Sequence, residues 1–125
     1  MESVTGIGGI FLKAKDPKAL TEWYRSRLGV PADDYGNVIF QWREIEGKEG
    51  MTVWSAKKDD TKYFEPSRAP FMINYRVRDL AAMLEQLRRA GADVDPKVEE
   101  SEFGKFGWVM DPEGNRIELW EPPAE

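Results

Sequence analysis

This chain has few residues with which to do chemistry. Its 125 residues include no histidine and no cysteine. That removes the side chain that titrates nearest neutral pH, the commonest metal ligand, and any thiolate nucleophile or disulfide. Acid–base or anchoring roles fall to carboxylates, amines and phenols. One carboxylate stands out by its setting. Glu118 lies in DPEGNRIELW, Asp111 to Trp120, where turn residues give way to alternation. Arg116, Glu118 and Trp120 alternate with Ile117 and Leu119, so Glu118 points away from the apolar face. Such a carboxylate can bind a cationic or hydrogen-bond-donating guest or act as a general base. Its plainer use is to pair with Arg116, Arg43 or Arg76.

Aromatic residues give this carboxylate a setting. Five tryptophans is a high number for this length. Alternation puts Trp54 and Trp120 on the face of Glu118 and suggests, with Phe11, an aromatic-walled cavity suited to a flat or cationic organic ligand. Met72, Asn74 and Arg76 alternate with Ile73, Tyr75 and Val77. If the latter face a helix, Met72 supplies an adaptable cavity wall and Asn74 can orient a ligand. Arg76 reads as a rim ion pair. Trp108 and Trp42 read as core fillers, as do Trp23 and Tyr24 beside Leu20.

These side chains need elements to position them. Gly6–Ala14 reads as a strand. Asp16 and Pro17 then form an N-cap and first helical residue, and Gly29 closes a helix over 17–28. Residues 38–44 and 51–56 read as a hairpin, with a polar linker over 57–70 tacked down by Tyr63 and Phe64. Phe71–Val77 is a strand again. Asp79 caps a second helix whose Leu80, Met83, Leu84 and Leu87 make one stripe, ended by Gly91. Residues 95–104 read as an acidic loop, followed by strands at 106–110 and 116–121. The order repeats: strand, helix, strands, then the same again. Gly9 to Asp16 has the spacing of Met72 to Asp79, and GMTVW at Gly50 aligns with GNRIE at Gly114. One helix per module covers one sheet face and leaves the other for a ligand, the second module or a second chain.

Composition narrows the partners. A net charge of −5 argues against nucleic acid. No run is apolar enough to span a membrane, and the N-terminus lacks a signal-peptide pattern, so a cytoplasmic protein is expected. The glycines at 6–9 and 47–50 lack the strand-to-helix setting and the Lys-Ser/Thr of a phosphate loop.

With the repeat in place, the chain resembles the vicinal oxygen chelate superfamily of glyoxalases, bleomycin-resistance proteins, fosfomycin transferases and extradiol dioxygenases. The resemblance rests on Ile10–Gly29, Val77–Gly91 and above all Asp111–Pro122. It implies an α+β fold of two βαβββ modules, with mixed sheets curled around a cavity and one helix per module outside. It further implies one domain over 1–125, with module one at about 5–57, a linker at 58–70 and module two at 71–122, and a homodimer. The superfamily's metal-ligand positions map to Gly9, Trp54, Met72 and Glu118, and only Glu118 is a ligand type found there. No metal and no cofactor are therefore expected. Metal-dependent glyoxalase I, extradiol dioxygenase and fosfomycin transferase activities are disfavoured for want of histidine.

The reading that results is a metal-independent protein binding a small organic ligand, cationic or aromatic, through Gly9, Phe11, Trp54, Met72, Asn74, Glu118 and Trp120. The alternative is a metal-free lyase or isomerase of glyoxalase ancestry with Glu118 as general base. A vestigial cavity in an accessory domain is a third.

Overall fold

The computed structural model describes residues 1–124. The elements run β1 (Gly6–Ala14), α1 (Pro17–Leu28), β2 (Asn37–Arg43), β3 (Glu49–Lys58), β4 (Phe71–Arg76), α2 (Leu80–Arg89), β5 (Asp93–Val94), β6 (Glu99–Ser101), β7 (Gly104–Met110) and β8 (Arg116–Glu121). The fold is α+β, and one mixed sheet carries all the strands. Its order is β2-β3-β1-β4-β8-β7-β5, with β6 added on β7. The modules meet within one chain, where β1 and β4 pair antiparallel.

Local chemistry sets both helices. Asp16 accepts from the Ala19 amide at 3.1 Å and Asp79 from the Ala82 amide at 3.0 Å, so each helix starts on a carboxylate cap. Gly29 ends α1 at φ 66°, a left-handed conformation that costs glycine little. The helices bury unequal faces. α2 packs Leu80, Met83 and Leu84 against Val77, Val109 and Leu119, the larger apolar cluster. α1 fully buries only Thr21. Trp23, expected in the core, is 51% exposed, because it lies on the flank of α1 away from the sheet. The stretch expected as an acidic loop at 95–104 instead contributes β6, and β5 precedes it. Both are short pairings to β7 that carry no alternating pattern to reveal them.

Register fixes which side chains share a face. Ile39, Val53, Gly9, Asn74, Glu118 and Trp108 are successive register partners across β2, β3, β1, β4, β8 and β7. The adjacent rung, on the opposite face, is Val38, Trp54, Ile10, Ile73, Ile117 and Val109. The helices pack on this second rung. The first belongs to the other face, which carries Glu118.

The glycines of β1 make the centre of that face possible. A Cβ on Gly8 would stand 2.3 Å from Asn74 Oδ1 and 2.8 Å from the Trp120 ring. A Gly8→Ala variant should therefore lose about 1–3 kcal/mol of unfolding free energy by overpacking. Urea titration reads this directly, and an unchanged midpoint would mean that the strand seam yields more than its geometry implies.

Candidate functional site

Glu118 is 1% exposed at the centre of the sheet. A carboxylate so deep requires donors on its oxygens. It has three. Asn74 Nδ2 donates to Oε1 at 2.7 Å, and Trp108 Nε1 donates to Oε2 at 3.0 Å. The Tyr63 hydroxyl donates to Oε2 as well, in a short contact. Asn74 and Trp108 are Glu118's register partners on β4 and β7, so strand pairing delivers both. Tyr63 comes from elsewhere. It belongs to the segment between β3 and β4, residues 59–70, which folds over this face as a strap.

The strap is anchored by its aromatic residues. Phe64 is wholly buried and packs with Met72 and Trp108, with Phe11 and Phe106 at the margin. Tyr63 meets Phe11 and Trp108 edge-on, both with ring centres 6.5 Å apart. Tyr63 is 40% exposed as a residue, but its hydroxyl end is turned inward, and desolvation there raises the phenol's pKa above its ordinary 10.0, with the adjacent Glu118 charge and hydrogen bond adding to the rise. Asn74 Oδ1 is buried without a partner and faces Gly8. Arg116 lies over the Trp108 ring, 5.1 Å from its centre, and bonds Asp95 at 3.3 Å.

Several sequence expectations meet at this site. Phe11, Met72, Asn74 and Glu118 come together beneath the strap. Gly9 lies in their rung. Trp120 shares the face but stacks on Phe106 and donates to the Phe103 carbonyl at 2.8 Å. Trp54 does not join them. It lies against Tyr24 of α1, ring centres 4.9 Å apart, on the helix face. The error is one residue of register. Val53 pairs with Gly9 in the Glu118 rung, so the alignment of Trp54 with Glu118 placed it on the wrong face. Trp108 was expected only to fill the core; it is buried, and its indole N–H serves Glu118. None of the arginines weighed as partners for Glu118 reaches it. Arg43 pairs with Glu49, Arg76 with Glu44, and Arg116 with Asp95. The expected open cavity is filled by the strap. Two surface hollows lie away from Glu118, one between α1 and Tyr35, the other beside Arg116 and Pro66.

Tyr63 is the functional group that sequence reasoning missed. It sits in an aperiodic, charged linker, and only the Tyr63-Phe64 pair amid polar residues signals that the linker is tied down.

The chain can now be compared with known proteins. A glyoxalase-like domain family matches residues 9–120. The chain belongs to that family. No curated protein sequence matches it. Among solved structures it is similar to methylmalonyl-CoA epimerase from Mycobacterium tuberculosis, at 21% identity and TM-score 0.62, over 97% of this chain and 90% of that one. The Streptomyces coelicolor methylmalonyl-CoA epimerase, solved with 2-nitronate-propionyl-CoA, aligns at 18% identity and TM-score 0.69, over 98% of this chain and 100% of that one. A glyoxalase/bleomycin resistance protein/dioxygenase superfamily member from Vibrio splendidus aligns at 13% identity and TM-score 0.58, over 97% and 99%. At these identities the likeness is one of fold.

The superfamily's metal does not fit the residues present. Of the four matched positions Gly9 has no side chain, Trp54 is turned to α1, and Met72 is packed against Phe64. Among the described residues no three of Asp and Glu converge as a cation would need.

The strap contact has a pH signature. A raised Tyr63 pKa stabilises the fold fully below pH 10, and that contribution drains away as pH rises further, because the unfolded state then loses a proton the native state keeps. Stability measured from pH 9 to 11.5 should fall, and Tyr63→Phe should flatten the fall. In the native protein one of the four tyrosines should resist ionisation in an ultraviolet titration. Four equivalent titrations would contradict the part-buried hydrogen bond.

Proposed function

We propose that this protein binds a small organic molecule at Glu118, with the strap 59–70 as the element that opens and closes over it. The observation that carries this reading is the Tyr63–Glu118 hydrogen bond. A neutral phenol from a connecting segment fills the third donor position of a buried carboxylate, and a ligand hydroxyl or N–H fits the same position once Tyr63 withdraws. Glu118, Asn74, Phe11 and Met72 then form the floor, Gly9 leaves room beside Asn74, and Trp120 lies at the margin. The binding needs neither metal nor cofactor. Such a guest needs donors more than charge, which weakens the case for a cationic ligand and leaves the aromatic one intact.

Enzymatic use of Glu118 as a general base in a lyase, isomerase or epimerase is the second reading. It draws on the proton path between Tyr63 and Glu118, an acid and a base in contact. Binding is favoured over it because the donors on Glu118 are neutral hydrogen-bonding groups, one of which a ligand can replace with no proton transfer. The same reading takes the protein as a single-domain cytoplasmic homodimer. Ile39 and Met51, both exposed on the Glu118 side of module one, form the part of that face the strap does not reach and a second chain would cover.

A thermal-shift screen of small hydroxyl-, amine- and amide-bearing compounds tests the binding role. A ligand at one hundred times its Kd should stabilise the wild type by about 2.7 kcal/mol. Glu118→Gln should lose most of that, while Tyr63→Phe should bind as tightly or more tightly. Hits that stabilise Glu118→Gln as much as the wild type would end the assignment. Turnover of a hit, abolished in Glu118→Gln, would transfer it to the enzymatic reading.

A further inference from the structure

One end of the Glu118 face carries two cations side by side. Lys13 on β1 and Lys57 on β3 are register partners in a parallel pair. They follow Phe11 and Ser55 by two residues on each strand, so they share the face of Glu118. Both are half-buried. Lys13 Nζ stands 5.4 Å from the centre of the Phe64 ring, and Lys57 Nζ 5.6 Å from that of Phe11. Both rings belong to the aromatic cluster beneath and around the strap.

This arrangement is unfavourable as it stands. Like charges on facing positions of neighbouring strands repel. The chain holds 23 acidic residues against 18 basic, so carboxylates are plentiful. Among the described residues eight ion pairs form elsewhere, yet neither Lys13 nor Lys57 has a carboxylate within 4.0 Å. Asp59, Asp60 and Glu65 lie in the adjoining strap and none of them closes on the pair. Among the described residues, aromatic faces are the charge-compensating contacts of both ammonium groups. One of those faces, Phe64, leaves when the strap opens, and Lys13 then has none.

We infer that Lys13 and Lys57 form the anion-binding end of the site, and that the guest is an elongated organic anion. Its carboxylate or phosphate sits between the two ammonium groups, and a hydroxyl or N–H donor at its other end reaches Glu118. This deepens the binding role and rests on it. The spacing sets the length: Lys13 is four residues beyond Gly9 of the Glu118 rung, about 13 Å along the strand. Opening the strap frees both ends together, because Tyr63 and Phe64 are consecutive and cover Glu118 and Lys13 respectively.

The test uses malonate and inorganic phosphate as probes, titrated calorimetrically into the full-length protein at constant ionic strength in chloride. Saturable binding of either supports the site, and the tighter of the two names the headgroup. Lys13→Gln/Lys57→Gln should weaken binding about tenfold or more, as expected for losing charge-assisted contacts. Lys13→Arg/Lys57→Arg should retain it, and so should Lys48→Gln, which removes an exposed hairpin lysine. A melting curve for each variant shows that it is folded, and the arginine pair keeps the test open if the glutamine pair is not. Malonate and phosphate engage only the lysine end, so failure here and failure of the ligand screen are separate results. Absence of saturation by both anions, equal affinity in the glutamine pair, or equal weakening by Lys48→Gln would overturn the inference.

Discussion

A carboxylate buried at the centre of a sheet constrains everything around it. Glu118 has almost no contact with water, so its oxygens depend on protein donors, and leaving one unmet costs about 1–3 kcal/mol or more for a charged group. The donors come from three separate places: β4, β7 and the strap. Asn74 is set by the parallel β4–β8 pairing and Trp108 by the antiparallel β7–β8 pairing. Gly8 leaves the space that Asn74 needs on β1. Sheet order, the seam between modules and the path of the linker therefore converge on one side chain. Such a network favours a single arrangement, because a slip in any strand removes a donor from a group that cannot find water instead.

The two modules repeat in order but differ in what covers them. α2 buries a full apolar stripe, whereas α1 buries little of itself. On the opposite face the difference reverses in kind. Module two is sealed by Phe64 and Tyr63, while Ile39 and Met51 of module one stay exposed. The strap belongs to the connection between the modules and is long enough to cover one half of the face only. Divergence within the repeat thus produces a closed half with a carboxylate under it and an open half with apolar residues and a pair of lysines at its edge.

Much of this was legible in the sequence, and the limits have a physical pattern. Helix caps are local, so Asp16, Pro17, Gly29 and Asp79 mark their helices without outside information. Alternation is also local, so the inward face of β4 and β8, with Asn74 and Glu118, could be read. Register between strands is not local. Trp54 went to the wrong face because the aligned segments GMTVW and GNRIE are offset by one residue from the pairing that forms. The Tyr63–Glu118 contact was beyond reach for another reason, although Tyr63 was expected to tack the linker down: a linker has no period, and what fixes its partner is complementarity to a surface that exists only once the sheet has assembled. Trp108 shows the intermediate case. Its burial was expected, but a buried indole also has an N–H to satisfy, and that requirement points to the carboxylate on the neighbouring strand.

The choice of partners for Glu118 bears on whether the site can open. Three arginines lie on or near this face, and each is engaged by a different acid: Arg43 by Glu49, Arg76 by Glu44, Arg116 by Asp95. A guanidinium on Glu118 would have made a buried ion pair whose separation leaves two charges uncompensated, which is strongly destabilising. Arg116 is instead held one layer away, over the ring of Trp108 whose N–H faces the carboxylate. Every direct partner of Glu118 is therefore neutral. Of these, Asn74 and Trp108 are built into the sheet, and Tyr63 comes from the connecting segment. A neutral donor exchanged for another neutral donor leaves the carboxylate's hydrogen bonds intact, so the main cost of such an exchange is uncovering the buried Phe64 that anchors the segment. The contact that covers Glu118 is thus also the one contributed from outside the sheet.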